Sequence, residues 1–413
     1  MLNFPKFSPK HLISPFNNPK YKILWFSNMI SYQSRWTQLI VSNWIVLEIT
    51  NSPFLVSLVA FFGTIPLFII GIFGGQLADQ LPRKKMLLFT ALISLITSLI
   101  LLLEIITNSI EYWHVYISIT IIGISWSIDM PSRRSLIHDF MGDKPIANGI
   151  ALDSIGISLA TIIGPALAGI LISIYGISSG LFLICIFYIV SIFLINLIPS
   201  TPAINQNSKG KLLKIQTKEI INLLKAYPII VPTIFLTVIM NLLMFPYTFI
   251  LPVIAKNTLE LGPDLMGILQ STPGAGAMIG TILICSMPKI PNHFKIYYIG
   301  CLISFLGVFC FAISTNFITS SMILIFIGLG TAGFASMQST IILTNTPYNK
   351  RGLGLGLITI AIGSGPFGAL FVGQVAEIFS PQYSLILNSS LGISLTVFAI
   401  ALFKFRKKFQ QIF

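Results

Sequence analysis

The chain has 413 residues, of which 54% are hydrophobic and only 9% charged, with a net charge of +13. A soluble domain carries roughly a quarter charged residues, so this composition excludes a water-soluble globular protein. Apolar runs of about 20 residues, the length needed to cross a hydrocarbon core as helix, recur throughout. They lack the period-2 alternation of a membrane barrel. The sequence therefore predicts an all-α integral membrane protein with twelve transmembrane helices in two pseudo-symmetric six-helix halves.

Residues 1–22 form a polar, basic tail interrupted by Pro5, Pro9, Pro15 and Pro19. The first apolar stretch is too long for a signal peptide and lacks a small-residue cleavage site, so it is expected to remain as a helix. The N-terminal bundle, 23–198, has spans predicted at 23–47, 55–78, 86–107, 114–136, 146–173 and 178–198. Arg35 falls near the midpoint of the first, at about 1.5 Å of rise per residue. Gly75-Gln-Leu-Ala-Asp79-Gln-Leu-Pro-Arg83-Lys84-Lys85 closes the second and turns into the third. Gly75 and Asp79 are four apart, hence on one helical face where a neighbour can approach the glycine and meet the carboxylate. An opposing helix N-terminus would stabilise that carboxylate.

Asp129 and Arg133 share a face of the fourth span and can pair. The fifth presents Gly156, Ala160, Gly164-Pro165 and Ala168-Gly169, a small-residue face for close packing with a proline that permits a kink. Asp153 on the fifth span and Asp129 on the fourth should sit at similar depth. A network of Asp129, Arg133 and Asp153 is expected, with Arg35 deeper. Ionisable groups inside a membrane are costly unless paired or hydrated, which marks these four as pointers to mechanism. Two readings stay open: a protonatable carboxylate that biases one conformation against another, or a permanently paired brace.

A polar, lysine-bearing linker, 199–228, bounded by Pro199, Pro202 and Pro228, separates the halves. Its Leu212, Leu213, Ile215, Ile220, Ile221 and Leu223 suit a short amphipathic helix at the membrane surface. The C-terminal bundle, 229–403, has spans predicted at 229–255, 263–287, 295–314, 319–344, 352–376 and 383–403, followed by a basic tail, 404–413. The halves echo each other at an offset of roughly 200 residues, as in duplicated transporters: Gly164-Pro165 matches Gly365-Pro366, and Pro66 matches Pro273.

The positive charge follows topology. With both termini cytoplasmic, the cytoplasmic side holds Lys6, Lys10, Lys20, Lys22, Arg83–Lys85, Lys144, the linker lysines, Lys289, Lys295, Lys350, Arg351 and the tail. The opposite side holds only Lys256, together with Glu48, Glu104, Glu111, Glu260, Asp264 and Glu377. The basic clusters are thus orientation signals in a multi-pass plasma (inner) membrane protein, and no nucleic-acid partner is expected. Four cysteines without CxxC spacing and four isolated histidines indicate neither disulfides nor metal. No cofactor is implied, and a monomer is expected.

The segment around Gly75, Asp79, Arg83 and Lys84 resembles the signature loop of the major facilitator superfamily. Gln80 and Pro82 depart from the usual basic residue and glycine. The resemblance implies a conformational latch of Asp79 and Arg83 against the eleventh helix. Trp44 through Pro53, Pro66, Asp129-Met-Pro-Ser-Arg133, Ala147-Asn148 and Gly164–Gly169 further resemble the enterobactin-exporter-like and macrolide-efflux-like branch. Gly164, Pro165 and Gly169 resemble the antiporter motif of its drug:proton antiporters, though Ala160 and Ala168 stand where that motif prefers glycine. By the same resemblance the first, fourth, seventh and tenth spans line a central cavity. Its candidate residues are Gln33, Arg35, Trp36, Gln38, Trp126, Asp129, Asn241, Phe245, Tyr247, Met337 and Gln338.

The expected activity is alternating-access, proton-coupled efflux of a small amphipathic molecule such as a drug, siderophore or metabolite. A lysophospholipid or nutrient carrier of the same fold, and a non-transporting receptor or scaffold, remain alternatives. No intramembrane enzyme motif is present.

Overall fold

In the computed structural model the described residues are 14–80, 82–141, 146–199, 217–287, 292–347 and 350–410. The expected tail at 1–13, most of the linker with Leu212, Leu213 and Ile215, and Lys144 and Lys289 lie outside them.

Ser14–Asn17 form a single 3-10 turn, followed by helices α1 (Pro19–Thr50), α2 (Pro53–Gln80), α3 (Arg83–Ile106), α4 (Tyr112–Met141), α5 (Ile146–Tyr175) and α6 (Ile177–Leu197). After the linker come the short α7 (Thr217–Ala226), then α8 (Ile230–Ile239), a π-helical turn (Met240–Met244) and α9 (Tyr247–Asn257), which together make one span. Helices α10 (Pro263–Ser286), α11 (His293–Ala312) and α12 (Phe317–Asn345) follow. Helices α13 (Arg351–Ile362) and α14 (Gly365–Ile378) make the eleventh span, and α15 (Pro381–Gln410) the twelfth.

Among the described residues, ten of these spans are long and apolar enough by themselves to cross a membrane. The other two, α1 and α4, have 32 and 30 residues and are long enough. They are diluted by Arg35 and Glu48 in one and by Asp129, Arg133, Arg134 and Asp139 in the other. The two least apolar spans thus carry much of the ionisable chemistry. Twelve spans, six before the linker and six after, use helix throughout because only helices satisfy their own backbone groups in lipid. Large apolar side chains such as Phe182, Phe193, Ile282 and Phe326 face outward, as a lipid-solvated surface requires.

Helix ends differ from the sequence reading. Helix α1 starts at Pro19, so the last part of the expected N-terminal tail is already helical, and α15 runs to Gln410 through the basic tail. The matched Gly-Pro pairs also behave differently. Pro165 sits inside the uninterrupted α5, whereas the eleventh span breaks at Gly363 and Ser364 and restarts with Pro366 in its first turn. The linker helix α7 does more than lie at a surface. Leu223 is fully buried in a cluster with Ile230, Ile342 and Ile358, while Ile221 stays exposed.

By contact density the chain forms two compact units. One comprises Met1–Ser42 with Ile65–Gly210, and the other Asn43–Thr64 with Lys211–Phe413. In the first, α1 and α5 are stitched along their length. The Tyr21 hydroxyl donates to the Gly149 carbonyl at 2.7 Å, the Trp25 indole to Leu152 at 2.9 Å, and the Thr37 hydroxyl to Gly164 at 3.4 Å. Gly176, with φ 81°, alone turns α5 into α6, a left-handed conformation that glycine adopts without strain.

In the second unit, α10 and α11 both press against α12 through glycines. A Cβ on Gly276 would lie 2.0 Å from the Ile325 carbonyl oxygen, and one on Gly328 2.1 Å from that of Pro273. One on Gly300 would lie 2.5 Å from the Gly330 oxygen. Backbone thus meets backbone, the mode of association that small residues permit in membranes. The connected ends of α1 and α2 belong to this unit too. The Glu377 carboxylate accepts from the Ser52 hydroxyl (2.7 Å) and the Phe54 N–H (3.1 Å), where a helix start favours an anion. Nearby, Lys256 pairs with Glu48 at 3.1 Å and lies over the Trp44 ring.

Gly276→Ala should force α10 off α12 and cost about 1–3 kcal/mol, as overpacking does. Gly356→Ala, where a Cβ meets nothing within 4 Å, should be neutral or slightly stabilising, because alanine is the better helix former. Thermal unfolding of the two purified variants side by side checks the pair. Equal melting points would show that the glycine contacts are not tight.

Candidate functional site

The ionisable residues of the first unit converge. Arg133 on α4 is almost fully buried, and its Nε donates to Asp129 Oδ2, one turn earlier on the same helix, at 2.5 Å. Its Nη1 donates to two residues of α1, the Asn28 side-chain oxygen at 2.9 Å and the Ser27 hydroxyl at 3.2 Å. Asn28 then passes the connection on: its amide nitrogen donates to Asp153 Oδ1 on α5 at 2.8 Å. The Tyr32 hydroxyl donates to the other oxygen of Asp153 at 2.9 Å. Asp129 also accepts from the Thr90 hydroxyl of α3 at 3.2 Å.

Thr90, Asp129, Arg133, Asn28, Asp153 and Tyr32 thus form one hydrogen-bonded chain across four helices. Each is less than a tenth exposed. The two carboxylates differ in their partners. Asp129 bonds a cation, whereas Asp153 is held by an amide and a phenol.

Asn28 and Tyr32, a helical turn apart on α1, complete this chain, and neither is singled out by the sequence analysis. Their spacing from each other and from Arg35 was the available signal, since 28, 32 and 35 fall along one helical face.

Arg35 itself lies one turn beyond Tyr32. Its guanidinium sits 5.9 Å from the centroid of the Trp126 ring, and Trp126 meets Tyr32 edge-on at 5.8 Å. Arg35, Trp126, Asp129 and Arg133 line a small cleft with Ser31, Thr90, Ser94, Ser125 and Tyr188. This cleft lies among α1, α3, α4 and α6, inside the first unit. Spans three and six, which the family resemblance does not place at a cavity, therefore supply part of its wall.

The other candidates divide between packing and polar contacts. Gln33 and Trp36 bear on Gly164, where an added Cβ would stand 3.1 Å from each. Gly169 and Pro165 are buried on the same helix, as are Ala160 and Ala168. The Gln38 side-chain oxygen accepts from Ser98 at 3.4 Å.

In the second unit the Asn241 amide donates to the Thr237 carbonyl at 2.9 Å, at the π turn. Gln338 donates to the Thr237 hydroxyl at 2.9 Å. The Tyr297 hydroxyl, missed by sequence reasoning, donates to the Thr233 carbonyl at 2.9 Å and lies 2.9 Å from the same Thr237 hydroxyl. Phe245 stands edge-on to Phe334, which stacks on Tyr297. Tyr247 and Met337 are buried in the core of this unit.

At the signature loop, Gly75 and Asp79 occupy the last turns of α2, where side chains are outside the described part of the structure. Arg83 is buried and pairs with Asp139 near the end of α4. Lys84 donates to the carbonyls of Asn196 and Ile198 at the end of α6, each at 2.7 Å, where a cation meets the negative end of a helix. The loop therefore ties the start of α3 to α4 and α6.

Removing one member of a buried ion pair leaves the other uncompensated, at a cost of about 3–5 kcal/mol. Arg133→Ala should therefore lower the melting point and yield steeply. Thr90→Val, which removes the hydroxyl that donates to the Asp129 carboxylate but leaves the ion pair, loses a charged hydrogen bond worth about 1.5–3 kcal/mol and should lower them less. Detergent-solubilised thermal unfolding checks the contrast.

Comparison with known proteins agrees with this architecture. The profile of a family described as transmembrane secretion effector, of the major facilitator type, matches residues 11–411. A staphyloferrin A transporter of Staphylococcus aureus is 22% identical over 386 residues, covering 92% of this chain and 96% of its own. Among solved structures, a bacterial homologue of the human lysosomal transporter Spinster superposes with a TM-score of 0.70 at 14% identity, covering 96% of this chain and 97% of that one. A POT family transporter in complex with a thioalcohol-conjugated peptide gives 0.72 at 12%, covering 94% and 96%. At such identities these structures speak for the fold alone. The family and fold are those of transporters rather than enzymes, and this chain belongs to the transmembrane secretion effector family of major facilitator transporters.

Proposed function

We propose that the protein is a proton-coupled exporter of a small organic molecule, working by alternating access, with Asp153 as the carboxyl that takes up and releases the proton. The observation that carries this reading is the partner set of Asp153. Asn28 and Tyr32 are neutral donors, so the carboxylate can gain a proton without breaking an ion pair of its own.

Asn28 also bonds Arg133, which gives a change at Asp153 a route to the Asp129–Arg133 pair and from there to α3. A proton arriving on Asp153 Oδ1 turns an acceptor into a donor, and the Asn28 amide must then turn or withdraw. An intramembrane carboxylate in such a chain has the character of a proton relay. The small-residue face of α5 around Gly164, Pro165 and Gly169, against which α1 packs, supports the antiport reading. Asp129, bonded to Arg133, serves as the brace. Export rather than uptake is favoured by the family description and by the resemblance to efflux proteins. The net positive charge of the loops assigned to the cytoplasm supports a plasma-membrane location with both termini inside.

Proteoliposomes with an imposed pH gradient test the proposal against a panel of dyes, siderophores and lysolipids. Asp153→Asn should retain solute exchange at equal concentrations on both sides but lose uphill movement driven by the gradient. Full gradient-driven accumulation by that variant would remove Asp153 from coupling. Absence of flux for every solute would favour a non-transporting role.

A further inference from the structure

Two amide side chains of the C-terminal half end in acceptors that the fold leaves unused. Asn241, at the π turn, spends its NH2 on the Thr237 carbonyl at 2.9 Å. A carbonyl only accepts, so the atom facing it is the Asn241 nitrogen, and Oδ1 is left for another donor. Gln338 on α12 reaches the same residue, 2.9 Å from the Thr237 hydroxyl. That hydroxyl has one proton, for which the Thr233 carbonyl (2.8 Å) and the Tyr297 oxygen (2.9 Å) already compete. Gln338 therefore presents its NH2 as well, which leaves its Oε1 over.

Both residues are more than nine-tenths buried, and among the described residues neither oxygen receives a donor. An amide oxygen withdrawn from water in this way is a standing cost to the fold. Asn241 Oδ1 also borders open space. A Cβ built on Gly365, at the break in the eleventh span, would lie 3.9 Å from it and within 4 Å of nothing else outside its own stretch of chain. Phe245, one turn along from Asn241, stands edge-on to Phe334 and offers an aromatic surface nearby. Among the described residues the buried polar side chains of this unit are all neutral. An ammonium brought here would meet no buried carboxylate to offset its desolvation. The donor that fits is uncharged.

We infer that Asn241 and Gln338, both anchored on Thr237, form a binding subsite for paired uncharged donors, hydroxyls or N–H groups, of the carried solute. The inference rests on the transport reading above and adds to it the chemistry of one end of the solute. Anchoring each amide by its nitrogen fixes where its oxygen stands before anything binds, which is what a recognition site requires of its supports.

The test uses the full-length protein in nanodiscs of phosphatidylcholine, whose headgroup has no O–H or N–H. The probes are 2,7-dihydroxynaphthalene and 2,7-dimethoxynaphthalene, which share a body and differ in donors. Binding is read from naphthalene fluorescence above that in empty nanodiscs and from the shift in melting point. The diol should bind and the ether should not. Asn241→Leu and Gln338→Met should each weaken the diol by about threefold to tenfold, the worth of one neutral hydrogen bond. Thr237→Val, which keeps both oxygens but frees Gln338 from its anchor, should weaken it too. Thr331→Val, which removes a hydroxyl bonded to its own helix, should leave binding unchanged. Should the first three variants fail to fold, Gly365→Ala decides. Its methyl has room, so the melting point should hold while diol binding falls as Asn241 Oδ1 is screened.

Equal binding of diol and ether, no binding of either, or unaltered diol binding in the folded variants would overturn the subsite and leave the coupling role of Asp153 untouched. Selective diol binding together with full gradient-driven accumulation in Asp153→Asn would do the reverse.

Discussion

A guanidinium cannot be left alone in hydrocarbon, and that constraint organises the N-terminal half. Among the described residues Arg133 is the largest of the fully buried side chains, and its donors reach Asp129 one turn earlier on its own helix and Ser27 and Asn28 on α1. Asp129 brings in α3 through Thr90, and Asn28 brings in α5 through Asp153. Four helices are held in register by the demand of one charge for compensation. Because the hydrogen bonds are directional, the demand also fixes rotation about each axis, which apolar packing alone leaves loose.

The C-terminal half meets the membrane differently. Among the described residues its fully buried polar side chains are neutral, and they centre on the Thr237 hydroxyl, which lies within reach of both Tyr297 and Gln338. Cohesion there comes from glycines that let backbones touch. The spans with irregular backbone, the π turn at Met240–Met244 and the break at Gly363–Ser364, also lie in this half. One half is therefore held by charge and the other by shape. Among the described residues, two spans of the second depart from the regular helical ladder of backbone hydrogen bonds.

How much of this can be read from the sequence depends on the range of the interaction. The spans follow from hydropathy, because lipid imposes its requirement locally on every stretch of about 20 residues. The contact of Asp129 with Arg133 follows from a spacing of four on a helix. Asn28 and Tyr32 do not follow, since their partners lie more than 100 positions away in sequence and an asparagine in a membrane span has many possible uses. Arg83 shows the same limit. Its basic character reads as a topology signal, whereas its partner Asp139 belongs to a different helix end. The helical nature of residues 19–22 and 404–410 was hidden by their polarity, which marks exit from the hydrocarbon and not the end of the helix.

The glycine contacts among α10, α11 and α12 carry an evolutionary consequence. Where a methyl group would fall 2.0 to 2.5 Å from a neighbouring carbonyl oxygen, no side chain can replace hydrogen without parting the helices. Gly276, Gly300 and Gly328 are therefore closed to gradual change. Sequence change in this half is thus channelled to positions away from the three crossings, where a side chain can vary without disturbing the slab.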